Sequence, residues 1–139
     1  ELWKQYYACP QHGRKSLGDK GIYAGCTSTP EFDTSTGYLF TLSVDGDLNC
    51  WDTQKRGLRV WEINLYEKYD SLQRPRVGRS GHRDYGYTSS PLVYHDWLLV
   101  EVGSAQGTVM AFDKKTGKRV WASQYNRPAG HTGGMSPMR

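Results

Sequence analysis

The sequence predicts an all-β protein built from four-stranded antiparallel sheets, and three observations support that prediction. The 139 residues include 37% hydrophobic residues, 13% aromatic residues and 16 glycines, a composition that suits many short strands joined by tight turns. A long segment recurs along the chain. No stretch shows the sustained 3.6-residue periodicity of an amphipathic helix.

The recurring segment contains a polar turn between two aromatic residues. It reads LSVDGDLNCWDTQKRGLRVWEINL at 42–65 and GSAQGTVMAFDKKTGKRVWASQYN at 103–126. Upstream, TSTP at 27–30 corresponds to TSSP at 88–91, and GMSP at 134–137 offers a third start. These starts are 61 and 46 residues apart, and a period of about 40–50 residues is the length of a four-stranded propeller blade.

The chain is therefore predicted to be a single partial propeller domain over residues 1–139. Its parts are a first repeat at 27–65, an inserted loop at 66–84, a second repeat at 88–126 and the start of a third at 130–139.

Branched and aromatic residues bounded by turn signals predict four strands in the second repeat. These strands are expected at 90–96, 97–104, 107–113 and 118–125. The turn between the last two contains Gly117, which can take a positive φ, and Asp113 is expected to bond turn amides or the Thr116 hydroxyl. Trp121 is expected to bury its indole against a neighbouring sheet.

The basic residues of this turn are expected to face solvent. A nucleic-acid patch is the alternative, but the first repeat does not keep all of these charges. The residues concerned are Lys114, Lys115, Lys118 and Arg119.

The run Ala111-x-Asp113-x-x-Thr116-Gly117-x-x-x-Trp121 resembles the tryptophan-docking motif of the pyrroloquinoline quinone (PQQ)-like β-propeller repeat family. The SSPLV start of the second repeat and its GTVMAFD strand are also typical of that family. The first repeat departs from the pattern, because Cys50 replaces the alanine and one extra residue lengthens its turn. The resemblance assigns blade docking to Asp52, Gly57 and Trp61 in the first repeat and to Asp113, Thr116, Gly117 and Trp121 in the second.

The resemblance implies a ring of about seven or eight blades, usually exported in bacteria. Two blades and the start of a third cannot close a ring of about 4–8 blades, and an open arrangement leaves sheet edges exposed. The chain also opens at Glu1 without an initiator methionine or a signal peptide. We therefore expect the remaining blades to come from a longer polypeptide or from other chains.

Three branches of the family give different functions. Quinoprotein dehydrogenases bind PQQ and calcium, BamB-type lipoproteins are non-catalytic assembly scaffolds, and other bacterial PQQ-like repeat proteins have no assigned activity. The motif itself docks blades, so it predicts the fold and not the chemistry.

Cysteines and acidic residues give no clear cofactor signature. Cys9, Cys26 and Cys50 form neither a CxxC motif nor the adjacent pair that marks many dehydrogenases of the family. We interpret them as buried or idle thiols, with a Cys9–Cys26 disulfide as an alternative. Asp45, Asp47 and Asn49 alternate as in a calcium loop, but no glutamate follows at the required distance, so a hairpin turn is the preferred interpretation.

A candidate ligand site lies before the strand starts, where the chain is expected to reach the central channel. Its residues are His82, Arg83, Asp84, Tyr85 and His131. The alternative is that these polar residues bond neighbouring blades. No histidine pair has the spacing of a zinc hydrolase, and His95 is expected in a turn.

The inserted loop offers further binding chemistry. Its segment 74–83 holds four arginines and no acid, which suits a phosphate, a sugar acid or an acidic partner, or alternatively a solvated loop. Nearby tyrosines suit carbohydrate stacking or a protein interface. They are Tyr66, Tyr69, Tyr85 and Tyr87.

We interpret the chain as a PQQ-like propeller segment that serves as a non-catalytic binding or assembly scaffold, outside the cytoplasm and with protein partners. No cofactor or metal is required by this interpretation. One alternative is a fragment of a PQQ- and calcium-dependent alcohol or sugar dehydrogenase, and a second is a carbohydrate-binding propeller. The net charge of +4 without a long basic run predicts no nucleic-acid partner, and no apolar run approaches the roughly 20 residues of a membrane span.

Overall fold

The computed structural model describes residues 2–7, 28–71 and 86–129. Most of these residues form two four-stranded antiparallel sheets whose strand order follows the chain. Sheet 1 contains β1 (Glu31–Asp33), β2 (Tyr38–Leu42), β3 (Asp47–Asp52) and β4 (Leu58–Asn64), and sheet 2 contains β5 (Leu92–Tyr94), β6 (Trp97–Ser104), β7 (Gly107–Asp113) and β8 (Arg119–Ala122). The prediction of all-β, four-stranded propeller blades is confirmed.

Strands β6 and β7 have the bounds that the sequence predicts, whereas β5 and β8 are shorter. Beyond the end of β8, the Ser123 hydroxyl accepts hydrogen bonds from the backbone amides of Thr108 and Val109, each at 3.1 Å. A side chain thus takes part in the pairing where the fourth strand ends. At the end of β5, His95 has a φ of 54°, which confirms the turn predicted there.

The segment predicted as an inserted loop begins with a short helix. Helix α1 runs over Leu65–Tyr69. The Asn64 side chain accepts a hydrogen bond from the Glu67 amide at 3.1 Å, which caps the first turn of the helix. The expectation of a loop from residue 66 onward is therefore wrong for the first residues of that segment.

The two sheets share one hydrophobic core. Successive residues on a strand point to opposite faces, and one face of each sheet packs into a single buried cluster. Sheet 1 contributes Phe40, Leu42, Leu48, Cys50 and Ile63, and sheet 2 contributes Leu98, Val100, Met110 and Phe112. Burial, and then the charge of Asp52, raise the pKa of the Cys50 thiol to about 12. Cys50 is thus a buried, protonated thiol, as predicted, while Cys9 and Cys26 lie outside the described residues.

Two of the tyrosines predicted to bind a carbohydrate or a partner belong to this core. Tyr87 is 2% exposed, and its hydroxyl donates to the Val102 carbonyl at 2.6 Å. Tyr69 is also buried and packs against Phe112, with ring centroids 5.9 Å apart. The binding role expected for these two tyrosines is therefore wrong, because their rings are not accessible.

Equivalent residues of the two repeats meet at the innermost strands. The Ser28 hydroxyl donates to the carbonyl of its counterpart Ser89 at 2.9 Å, and the Thr29 amide donates to the Ser90 hydroxyl at 2.8 Å. Contact between equivalent positions is what a rotation about a nearby axis produces. The sheets are therefore arranged as neighbouring blades around an axis next to β1 and β5.

Candidate functional site

The best-defined polar constellation of the described structure joins the two sheets. It is built around the docking turns, the name used here for residues 52–57 and 113–117. The outer two strands of each sheet meet at these turns.

In the second docking turn, one carboxylate organises the backbone. Asp113 Oδ1 accepts hydrogen bonds from the amides of Lys115 at 3.1 Å and Thr116 at 2.8 Å, and from the Thr116 hydroxyl at 2.8 Å. The Thr116 hydroxyl, together with the two amides, holds the pKa of Asp113 below its ordinary value. The turn closes at Gly117, which has a φ of 68°. The bonds expected of Asp113 are confirmed.

The first docking turn reaches the same geometry with one more residue. Asp52 Oδ1 accepts from the amides of Gln54 at 3.0 Å and Lys55 at 3.2 Å, and the turn closes at Gly57, with a φ of 69°. Arg56 accommodates the extra residue in a left-handed conformation, with a φ of 55°. The longer turn of the first repeat therefore keeps the carboxylate cap and the left-handed glycine of the second.

An indole from sheet 1 lies on the second docking turn. Trp61 Nε1–H donates to the Lys114 carbonyl at 3.1 Å. A Cβ built on Gly117 would lie 2.8 Å from Cδ2 of this indole, closer than side chains approach. Glycine at 117 is therefore required twice, for its left-handed backbone and for the space that the ring occupies.

The expectation that the basic residues of the second docking turn face solvent is wrong for Lys114. It is 5% exposed, and its ammonium lies 2.8 Å from Asp33 Oδ2 and 3.1 Å from the Ser35 hydroxyl. Lys115, by contrast, is exposed, as are Lys118 and Arg119. The docking turn of sheet 2 is thus tied by a buried ion pair to the first hairpin of sheet 1.

Asp33, the partner of Lys114, lies in a segment whose sequence resembles the second docking turn. The segment Asp33-Thr34-Ser35-Thr36-Gly37 has the same D-x-x-T-G pattern as 113–117, and its carboxylate likewise caps its own turn through Ser35 and Thr36. Burial alone would raise the pKa of Asp33. The Lys114 ammonium and the hydroxyls of Thr36 and Ser35 outweigh burial and hold that pKa well below its usual range.

A third indole was not identified from the sequence. Trp3 lies on the first docking turn, where a Cβ built on Gly57 would overlap the six-membered part of its ring, at 2.5 Å from Cζ3. Gln5 Nε2 donates to the Arg56 carbonyl at 3.2 Å, and this bond holds the same segment on the turn. The available signal is the dipeptide Leu2-Trp3, which matches Val60-Trp61 and Val120-Trp121.

Trp121, the repeat counterpart of Trp61, has different surroundings. It is 49% exposed, whereas Trp61 is half-buried between the sheets. The described residues place no further sheet on that side of sheet 2. Docking by Trp121 remains a prediction.

The candidate channel residues lie outside the described structure. These are His82, Arg83, Asp84, Tyr85 and His131, and their role stays a prediction. The Asp45-Gly46-Asp47 segment forms the hairpin turn that was predicted: Gly46 has a φ of 85°, and the Ser43 amide donates to the Asp47 carbonyl at 3.0 Å.

Among the described residues, neither a metal-binding cluster nor a membrane-spanning helix is found. Over 2–7, 28–71 and 86–129, no group of three or more histidine, cysteine, aspartate or glutamate side chains is arranged to hold a metal ion. Within the same ranges, no helix has the length and apolar character needed to cross a bilayer.

Comparisons with known proteins give structural similarities only. No family model matches the chain, and no curated protein matches it. Among solved structures, the chain is similar to a europium-containing methanol dehydrogenase, with 23% identity over 67% of this chain and 14% of that one and a TM-score of 0.44. It is also similar to BamB from Moraxella catarrhalis, with 18% identity over 82% of this chain and 27% of that one and a TM-score of 0.46. The chain thus spans about a quarter or less of either protein.

Removing the Lys114 ammonium tests the buried ion pair. Lys114→Met leaves the Asp33 carboxylate buried without a cation, so we expect the free energy of unfolding to fall by about 3–5 kcal/mol. Urea denaturation followed by circular dichroism measures this change. The matched control, Lys115→Met, removes an exposed charge from the same turn and should change stability by less than about 0.5 kcal/mol. Equal effects from the two substitutions would contradict the assignment.

The depressed pKa of Asp33 predicts how stability depends on pH. An unfolded aspartate has a pKa near 3.9, so the stabilisation that Asp33 contributes to the folded state is complete above that pH. It is lost as the pH falls below about 4 towards the folded-state pKa. We expect Asp33→Asn to be less stable than the wild type at neutral pH, with the difference narrowing in acid. Urea denaturation from pH 6 down to pH 3 measures both proteins, and a difference that is constant with pH would exclude the proposed charge interaction.

Proposed function

We propose that the chain contributes blades to a larger β-propeller that acts as a non-catalytic scaffold for binding or assembling other proteins. The most direct support is that residues of the repeated docking turn and its tryptophan lie at the contact between the two sheets. Trp61, Gly117 and Lys114 contact across the two sheets, so the polar repeat pattern serves the joining of blades. The Trp61 indole and the Lys114 ammonium are thus both engaged in that join.

Exposed aromatic residues support protein partners. Trp97, Trp121 and Tyr125 in and beside sheet 2 are 43%, 49% and 65% exposed. Large aromatic side chains are enriched at protein interfaces, where they contribute much of the binding energy. The partners in this proposal include the remaining blades, from the same protein or from other chains, and further proteins bound by the completed propeller.

The proposal assigns neither PQQ nor calcium a necessary role. It also keeps the location outside the cytoplasm that the repeat motif implies. A dehydrogenase fragment and a carbohydrate-binding propeller are the competing functions, and each has a direct assay.

The test combines a dye-linked oxidation assay with a glycan array. The purified chain is incubated with PQQ and calcium, alcohols and sugars are added, and reduction of an artificial electron acceptor is followed by absorbance. An active quinoprotein dehydrogenase is the positive control. We expect no dye reduction above the protein-free blank and no glycan binding. Dye reduction that requires PQQ and scales with the amount of chain would contradict the proposal, and specific glycan binding would replace it with the carbohydrate-binding function.

A further inference from the structure

Four polar side chains share one face of the β3–β4 strand pair. The register places Asp47 opposite Asn64 and Asn49 opposite Glu62. The apolar residues that alternate with them point into the core, so these four side chains lie on the opposite face of sheet 1. The last residues of the D-x-D-x-N run at 45–49 therefore continue beyond the hairpin turn and contribute to a polar surface.

Asn49 is the unusual member of this set. It is 1% exposed, and within the described residues no donor reaches its Oδ1. Its Nδ2 has only a long contact of 3.5 Å, to the Asp47 carbonyl. Met110, the repeat counterpart of Asn49, is apolar and fully buried, so this position in a sheet does not need a polar side chain to fold. A buried amide oxygen normally has a donor, and a ligand can supply the one that Asn49 lacks.

A cavity of about 620 Å³ lies beside these side chains. Strands β3 and β4 contribute its acidic and amide groups, α1 contributes Glu67, and the N-terminal segment contributes two aromatic rings. The residues that matter here are Asp47, Asn49, Glu62, Glu67, Tyr6 and Tyr7. A cavity of this size suits a small molecule or the end of a partner's side chain.

The lining of the cavity carries more negative than positive charge. Three carboxylates line it, and Arg59 is the one cationic side chain among its lining residues in the described chain. Arg59 pairs with Glu62, whereas neither Asp47 nor Glu67 forms an ion pair within the described residues. The Asp47 carboxylate is held in place by the Asn64 amide at 2.9 Å. In a chain with a net charge of +4, this cavity is a local site for a cation.

The two tyrosines add surface that also attracts cations. The ammonium of Lys4 lies 5.2 Å from the centroid of the Tyr6 ring, within the range of a cation–π contact. Tyr7 packs against Trp51, with ring centroids 6.0 Å apart, which fixes its position beside the cavity. Carboxylates and aromatic faces therefore surround the same space.

We propose that this cavity binds a guanidinium group, either of a small alkylguanidine or of an arginine on a partner protein. A guanidinium has several N–H donors in one plane and no acceptor, which matches a lining rich in acceptors. Asn49 Oδ1 accepts one of these donors, and the carboxylates of Glu62 and Glu67 accept others. The inference goes beyond the proposed scaffold function, which does not depend on it.

Titration calorimetry with butylguanidinium tests the site, and neutral butylurea is the shape-matched control. We expect the wild type to bind butylguanidinium and to bind butylurea at least about tenfold more weakly. Asn49→Met, which installs the counterpart from the second repeat, should weaken binding by about tenfold or more, because it removes a hydrogen bond to a charged group. Its thermal midpoint should equal or exceed that of the wild type, since the amide oxygen has no donor to lose.

Two exposed carboxylates provide a second, independent comparison. Glu67→Gln should weaken binding by about two- to fivefold, whereas Asp96→Asn, on sheet 2 and away from the cavity, should leave it unchanged. This pair decides the matter if Asn49→Met does not fold. The proposal is overturned if butylguanidinium does not bind, if butylurea binds equally well, or if a folded Asn49→Met or Glu67→Gln variant binds as the wild type does.

A peptide distinguishes the two sources of the guanidinium group. The probe is a blocked Gly-Arg-Gly peptide, and its citrulline counterpart is the neutral control. Tighter binding of the arginine peptide than of butylguanidinium assigns the site to a protein partner, and the reverse order assigns it to a free alkylguanidine. The dye-linked assay and the glycan array are independent of all these outcomes, so failure of this inference is distinguishable from failure of the proposed function.

Discussion

A flat indole can lie on a tight turn only where the residue beneath it has no side chain, and the join between the two sheets depends on this contact. At Gly117 the turn needs a left-handed backbone and also an empty space above the Cα atom. Trp61 fills that space and donates its one N–H to the turn carbonyl of Lys114. A large apolar surface and a directional hydrogen bond therefore act at the same point, which sets both the distance and the orientation of the neighbouring sheet.

The buried ion pair acts on the other side of the same turn. Lys114 presents its carbonyl to Trp61 and its ammonium to Asp33, so one residue contacts two separate parts of sheet 1. Taking both charges out of water costs free energy that their attraction offsets only with good geometry. The Ser35 and Thr36 hydroxyls complete that geometry by bonding the ammonium and the carboxylate. The pair therefore favours one alignment of the two blades over others that would leave a charge unpaired.

Local sequence patterns predict the strands and turns of the sheets well. The features that they do not predict depend on contacts between segments that are distant in the sequence. The bounds of β6 and β7 follow from branched residues between strong turn signals, and Asp113 and Gly117 identify a turn without any knowledge of its neighbours. The burial of Lys114 depends on a carboxylate 81 residues earlier, so a basic run in the sequence indicates only a solvated tip. The segment around Trp3 contains only one residue of the longer repeat motif, and a single tryptophan is too weak a signal to identify a docking residue. Asn64 gives little sequence signal as a helix cap because its helix is only one turn long.

Exchange of the indole N–H protons with deuterium is the most direct test of how the sheets are joined. In a chain labelled with ¹⁵N at tryptophan, Trp61→Phe and Trp121→Phe assign the two signals by their disappearance. We expect the Trp61 proton, bonded to the Lys114 carbonyl between the sheets, to exchange far more slowly than that of the half-exposed Trp121. Equally rapid exchange at both indoles would contradict the packing of Trp61 on the second docking turn and the arrangement of blades that depends on it.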